Sequence, residues 1–219
     1  MAGWIVATIL GALLWKFLQQ DRLAKREAFI RSYSFPKPVL AAFGKHHDRL
    51  TIKDRALVGR GLRQFFLAYL KSGQKPVSMP SQVVDELWHE FILYTKAYDL
   101  FCKQAFGKFF HHVPSSALSN DRRNNEGLRR AWWYCCKEEN INPRNANRLP
   151  LLFALDTKLE IANGFLYAPD CKALNQRQEG SAHCGGDFSS LSFDGTTDGL
   201  GDSSSGGGDG DGGGCGGGD

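Results

Sequence analysis

The chain has 219 residues, of which 42% are hydrophobic and 12% aromatic, enough for one domain of about 100–150 residues with its own core. Residues 1–177 hold all 27 Lys and Arg together with 15 acidic residues. Residues 178–219 hold eight acidic residues and no Lys or Arg. The net charge of +4 is therefore the sum of a basic body and an acidic tail. The six cysteines form no Cys-x-x-Cys pair, which excludes a zinc finger or ribbon and favours free thiols in a reducing compartment.

The chain begins with an apolar segment. Residues 2–15 carry no charge, and Phe17 and Leu18 continue the segment beyond Lys16. About 17 apolar positions reach the lower limit for a membrane-spanning helix, and Trp4 and Trp15 stand where interfacial aromatics are common. We expect residues 1–18 to form an uncleaved transmembrane or interfacial anchor in contact with membrane lipid. A cleaved signal peptide and a buried N-terminal helix are the alternatives.

Basic residues flank this segment on its C-terminal side alone: Lys16, Arg22, Lys25, Arg26 and Arg31. The positive-inside rule places that side in the cytoplasm. The sequence therefore predicts a single-pass membrane protein with a cytoplasmic body, and residues 19–34 form its charged juxtamembrane helix.

Residues 35–175 read as an all-α domain. Apolar residues recur at spacings of three and four, and period-2 alternation is scarce. Pro, Gly and Asn separate the helical segments. The predicted helices begin near Val39, Asp54, Ser81, Asn125 and Pro150, and the helix from Ser81 continues to about Ala105. We expect a compact bundle of five or six helices.

The composition changes at Gln176. Gly, Ser and Asp fill most of residues 176–219, and such a segment cannot bury enough apolar surface to offset its loss of conformational entropy on folding. We expect a disordered tail that the fold does not require. Cys215 lies among its glycines and reads as an incidental thiol.

The richest segment joins Trp88-His89 to Leu93, Tyr98, Cys102 and Phe106-Gly107. This run resembles the signature of the glycine-rich-domain-containing-protein-like family, and the glycine-rich tail agrees with that name. The resemblance is close over residues 83–114 and loose over 35–165. It implies no particular activity. Phe91 stands where that pattern has a second histidine, which argues against a two-histidine site at that place.

Asp85 and His89 are four residues apart on one helix face, close enough for a carboxylate–imidazole contact. His111 and His112 follow Gly107, which can turn the chain back towards that face. Asp85, His89 and His112 (or His111) are therefore candidate ligands for a transition metal such as zinc, and His46-His47 could add a fourth group. The alternative is a surface Asp–His pair that braces the loop. Trp88 and Tyr98 lie on the apolar face of this helix, where we expect them to be buried. Cys102 lies on the same face, about 140° from His89 on a straight helix, so it reads as a buried hydrophobe.

Other chemistry has less support. Walker, Gly-x-Ser-x-Gly and His-Glu-x-x-His motifs are absent from the sequence,. Trp132-Trp133 beside Arg129-Arg130 could stack on bases, but an amphipathic helix explains them more simply. The preferred function is a non-enzymatic, membrane-tethered interaction or scaffold protein with an unidentified protein partner. The alternative is a metal-binding protein or metal-dependent enzyme that uses Asp85, His89 and His112.

Overall fold

The computed structural model describes residues 2–112, 122–169 and 183–184. This part of the chain is helical, with one pair of two-residue strands, so the all-α class is confirmed. The helices are α1 Ala2–Ser32, α2 Lys37–His46, α3 Ile52–Lys71, α4 Gln82–Leu93, α5 Thr95–Ala105, α6 Arg122–Glu138 and α7 Leu151–Lys158. The strands β1 Tyr167–Ala168 and β2 His183–Cys184 pair in parallel.

Local sequence explains the helix ends. Thr51 and Asp54 form a capping box at the start of α3, in which each side chain meets the other residue's backbone N–H,. Ser81 caps α4, as its sequence position predicts, by accepting a bond from the N–H of Val84,. Gly107 follows α5 at φ +77°, a conformation that few other residues adopt,.

Helix α3 is the centre of the bundle and contacts α1, α4, α6 and α7. Its buried face includes Val58, Leu62, Phe65 and Phe66. A Cβ at Gly61 would lie 2.4 Å from Leu155 Cδ1, so glycine lets α7 approach α3 closely. The aromatic side chains that the sequence concentrates in α3–α5 therefore form one continuous core.

The segment from Gln82 to Ala105, where one helix was expected, forms two helices. The chain breaks at Tyr94 (φ −82°, ψ 60°), and α5 starts at the next residue. The expectation of a single helix from Ser81 to about Ala105 was therefore wrong. The burial of Trp88, Tyr98 and Cys102 is as expected, because all three remain on the inner faces of α4 and α5.

The first helix gives the main correction. Helix α1 runs without a break through the expected boundary at residue 18. Within the described residues, none of the helices combines the length and the hydropathy that crossing a bilayer requires. The prediction of a single-pass membrane protein is therefore wrong, and its orientation argument has no basis. The physical reason is length: 17 residues rise only about 25 Å, against a hydrocarbon core of about 30 Å, and Gln19, Gln20 and Asp21 follow directly.

The two halves of α1 differ in their contacts. Near its C-terminus Ile30 is fully buried, and Phe29 packs against Phe101 with ring centroids 5.7 Å apart. In the N-terminal half, the large apolar side chains described from residue 5 onwards are exposed: Ile5, Val6, Ile9, Leu10, Leu13, Leu14, Trp15, Phe17 and Leu18. The expected tail, residues 176–219, lies outside the described residues except for β2, so its disorder stays a prediction.

Candidate functional site

Three side chains converge on the outer side of α4. Asp85 and His89 are separated by one helical turn, and His89 Nε2 lies 3.8 Å from Asp85 Oδ2. His112 comes from the loop after α5 and places Nε2 2.8 Å from Asp85 Oδ1. The centroids of the His89 and His112 imidazole rings are 4.4 Å apart. One potential ligand atom from each residue lies within 4.8 Å of the other two. We call these three residues the Asp85 cluster.

The cluster is open on one side and enclosed on the other. The side chain of His89 is 52% exposed, whereas those of Asp85 and His112 are 18% and 11% exposed. The rings of Trp88 and His112 pack edge to face, with their centroids 4.5 Å apart. Solvent can therefore reach the cluster from the His89 side, while Trp88 fixes the position of His112.

Buried hydrogen bonds hold the loop that carries His112. The Tyr98 hydroxyl donates to the carbonyl of Phe110 at 2.5 Å and accepts a bond from Trp88 Nε1 at 3.1 Å. The ring of Phe110 stacks on Tyr69 at 3.9 Å. Gly107 closes α5 by donating its N–H to the carbonyls of Cys102 and Lys103. The side chains of Tyr98, Trp88 and Phe110, together with the turn at Gly107, therefore determine where His112 lies.

Burial keeps the two polar side chains beneath this loop protonated. It raises the pKa of the Tyr98 hydroxyl, and the neighbouring Cys102 raises that pKa further. Burial also raises the pKa of the Cys102 thiol, although bonds from Phe110 and Tyr98 oppose this effect,. A thiol in this state is a poor metal ligand, which agrees with the prediction that Cys102 is a buried hydrophobe.

A buried carboxylate positions the start of α4. Asp156 on α7 accepts hydrogen bonds from the Ser81 hydroxyl and the Gln82 N–H, each at 2.7 Å. It also accepts bonds from the N–H groups of Val83 and Phe165. The local sequence pattern does not predict this role. The acidic residue within the apolar α7 segment was a signal, because a buried acid needs several donors.

A second group of His and Glu lies beside the Asp85 cluster. His47 at the end of α2 contacts Glu86, and His46 Nε2 lies 3.7 Å from Glu90 Oε1. We call these four residues the Glu86 group. The suggested fourth ligand from His46-His47 is therefore drawn to other carboxylates. His111 is exposed and packs against Phe109 with ring centroids 4.8 Å apart, outside the Asp85 cluster.

The Asp85 cluster has the chemistry of a metal site. Two imidazoles and one carboxylate are common zinc ligands, and the same set binds iron in some enzymes. Ligand atoms of a tetrahedral zinc lie roughly 3.3–3.6 Å apart, so groups already within 4.8 Å need only small side-chain rotations. Without a metal, the carboxylate would brace the two histidines by hydrogen bonding.

Comparison with curated proteins finds no match, and comparison with solved structures finds none either. A family model, by contrast, matches residues 25–188. The match includes every residue of the Asp85 cluster and all helices from α2 onwards, and it starts after the exposed apolar half of α1. Because it spans well over half of the sequence, the chain belongs to the UCP032817-like family.

Proposed function

We propose that this protein binds a divalent transition metal, with zinc as the first candidate, through Asp85, His89 and His112. The observation that carries the proposal is the convergence of their ligand atoms within 4.8 Å. Three protein ligands leave one tetrahedral position open, the arrangement that zinc enzymes use to hold a water molecule. The exposed side of His89 gives that position access to solvent.

The supporting contacts favour a prepared site. Two of the three ligands are attached to elements that buried polar bonds hold in place. Asp156 anchors the first turn of α4, close to Asp85, and Tyr98 anchors the loop before His112. Such preorganisation lowers the cost of assembling a metal site.

We also infer that the resemblance to the glycine-rich-domain-containing-protein-like family reflects this arrangement. Trp88, Tyr98, Cys102 and Gly107 all contribute to the contacts that hold the His112 loop. A signature made of these residues would then keep the metal ligand His112 in place, and it would not by itself specify a reaction. The support for this inference is structural, since the residues share one set of contacts.

Isothermal titration calorimetry with zinc on the full, chelator-treated chain tests the proposal. We expect one site in the unmodified protein and its loss in Asp85→Asn and in His112→Ala. His111→Ala and Glu86→Gln are matched controls, because each changes a neighbouring residue of similar chemistry outside the cluster. Both should bind like the unmodified protein.

Two outcomes would contradict the proposal. One is the absence of binding by zinc, iron(II) or cobalt(II) to a folded protein. The other is equal binding by the unmodified protein and His112→Ala. Elemental analysis of the purified protein adds a second readout, since a resident metal should be absent from His89→Ala.

The exposed half of α1 favours a second candidate function, that of an interaction module. Among the side chains described in this half from Ile5 onwards, nine large apolar ones are exposed, including Leu10 and Leu14 at 60% and 59%. A large exposed apolar patch is a candidate binding site for another protein surface. We propose a second copy of this chain as the partner, because two identical apolar helices can cover each other about a twofold axis.

Sedimentation velocity tests this second function. The full chain should form dimers as concentration rises, and Leu10→Glu combined with Leu14→Glu should remain monomeric. The control combines Leu93→Glu with Leu100→Glu, which are also exposed apolar residues but lie on α4 and α5. Monomers at every concentration of the unmodified chain would contradict the candidate.

A further inference from the structure

A basic cavity lies on the side of α3 that faces the loop between α6 and α7. Its volume is about 610 Å³, which suits a small organic ligand,. Five basic and two acidic side chains line it together with an apolar wall. The wall includes Leu57, Leu67, Leu149, Leu151 and Ala154. The cavity shares no residue with the Asp85 cluster.

The two acidic residues of the cavity already have partners. Glu138 contacts Arg31 and lies 2.8 Å from the Lys71 ammonium. Glu139 pairs with Arg148 and also accepts bonds from Gln64 and the Leu151 N–H. Both carboxylates are therefore neutralised within the protein.

Three other basic side chains of the cavity take no part in the ion pairs of Glu138 and Glu139. Within the described residues, Arg60, Arg63 and Lys158 form no ion pair with a carboxylate. Lys158 does lie within electrostatic reach of Asp54: hydrogen bonds with Thr51 lower the pKa of that carboxyl, and the charge of Lys158 lowers it further. Arg60 and Lys158 are exposed at the rim. Arg60 and Arg63 are three residues apart on α3, where like charges destabilise each other. The cavity therefore carries an excess of positive charge.

Arg63 shows the strain of this arrangement most directly. Its guanidinium is half-buried, donates one bond to the Tyr33 carbonyl at 3.1 Å and lies over the ring of Phe35. Burial lowers the pKa of Arg63, and the like charge of Arg60 lowers it further. A partly desolvated cation without a carboxylate is costly unless an anion reaches it.

We propose that this cavity binds a small organic anion, such as a phosphate ester, with its anionic group at Arg60, Arg63 and Lys158 and its apolar part against Leu57 and Leu151. Arginine recognises phosphate through paired N–H donors, and lysine adds a point charge. The apolar wall explains why an organic ester should bind better than inorganic phosphate.

Calorimetry at fixed ionic strength, with phenyl phosphate and inorganic phosphate as probes, tests the proposal. Phenyl phosphate should bind the full chain at one site and more tightly than inorganic phosphate. Arg60→Gln combined with Lys158→Gln should weaken binding by about tenfold or more, which corresponds to at least one charge-assisted hydrogen bond. Arg63 is left unchanged because it also ties α3 to Tyr33.

The control variant combines Lys45→Gln with Lys96→Gln. It removes the same net charge from exposed positions outside the cavity and should bind phenyl phosphate like the unmodified chain. Asp85→Asn should also bind it normally, since the cavity and the Asp85 cluster share no residue. The proposal is overturned by an absence of binding at millimolar probe, or by equal weakening in the control and the cavity variant.

Discussion

The Asp85 cluster and the Glu86 group occupy neighbouring strips of α4, and each combines histidines with carboxylates. In the Asp85 cluster both imidazoles meet one carboxylate. In the Glu86 group each imidazole meets a different carboxylate. Similar composition therefore leads to a potential metal site in one place and to two separate pairs in the other.

The difference comes from the elements that supply the histidines. His89 lies on α4 itself and His112 arrives from the loop after α5, so the two approach Asp85 from different directions. His46 and His47 are adjacent at the end of α2, and their side chains diverge towards different turns of α4. Convergence on one point required two independent elements.

The largest expected effect comes from removing the aromatic ring beneath each group. Trp88 supports His112, and Phe43 supports His47 with ring centroids 4.7 Å apart. Each change to alanine should lower the free energy of unfolding by about 3–5 kcal/mol, because each ring is almost fully buried,. Urea denaturation measures both. Only Trp88→Ala should also weaken zinc binding in the folded protein, and equal weakening by Phe43→Ala would break the distinction between the two groups.

Zinc should stabilise one group alone. At a free zinc concentration 100 times the dissociation constant, the full chain should gain about 2.7 kcal/mol in its free energy of unfolding. Asp85→Asn should abolish this gain, whereas Glu86→Gln should retain it. Chemical denaturation with and without zinc provides the measurement. If Glu86→Gln abolished the zinc-dependent gain in the free energy of unfolding, the zinc site would lie in the Glu86 group instead.

Removing one hydroxyl should loosen the Asp85 cluster from a distance. Tyr98→Phe leaves Trp88 Nε1 and the Phe110 carbonyl without their partner, which should cost about 1–3 kcal/mol,. Zinc affinity should fall as well, although no ligand changes. Tyr94→Phe is the control, since Tyr94 is exposed and should change stability by less than about 0.5 kcal/mol,. An unchanged zinc affinity in Tyr98→Phe would show that the loop needs no such anchor.

The smallest effect is expected at His46. Its side chain is 72% exposed and its contact with Glu90 is long, so His46→Ala should change the free energy of unfolding by less than about 0.5 kcal/mol. His112→Ala should cost more, because His112 is nearly buried and packs on Trp88. Thermal melts of the two variants compare them directly. Equal losses would remove the contrast between the two groups.

The candidate site was partly accessible from the sequence. Asp85 and His89 follow from the pitch of a helix, and Gly107 indicated that the chain turns back after α5. The choice between His111 and His112 was not accessible, because it depends on the Phe110 ring and the Tyr98 hydroxyl fixing the loop. The role of Asp156 was missed because three of its donors, on Ser81, Gln82 and Val83, lie more than 70 residues away in sequence.

By itself the sequence determined the helical class, the start of α4 at Ser81, the inward positions of Trp88, Tyr98 and Cys102, and the pairing of Asp85 with His89. These features follow from local periodicity, capping and turn chemistry, which act within a few residues. Tertiary structure decided the meeting of His112 with Asp85, the contacts of His46 with Glu90 and of His47 with Glu86, and the cation-rich cavity beside α3. Each of these depends on contacts between segments far apart in the chain, and no local pattern encodes which distant partner a side chain will meet.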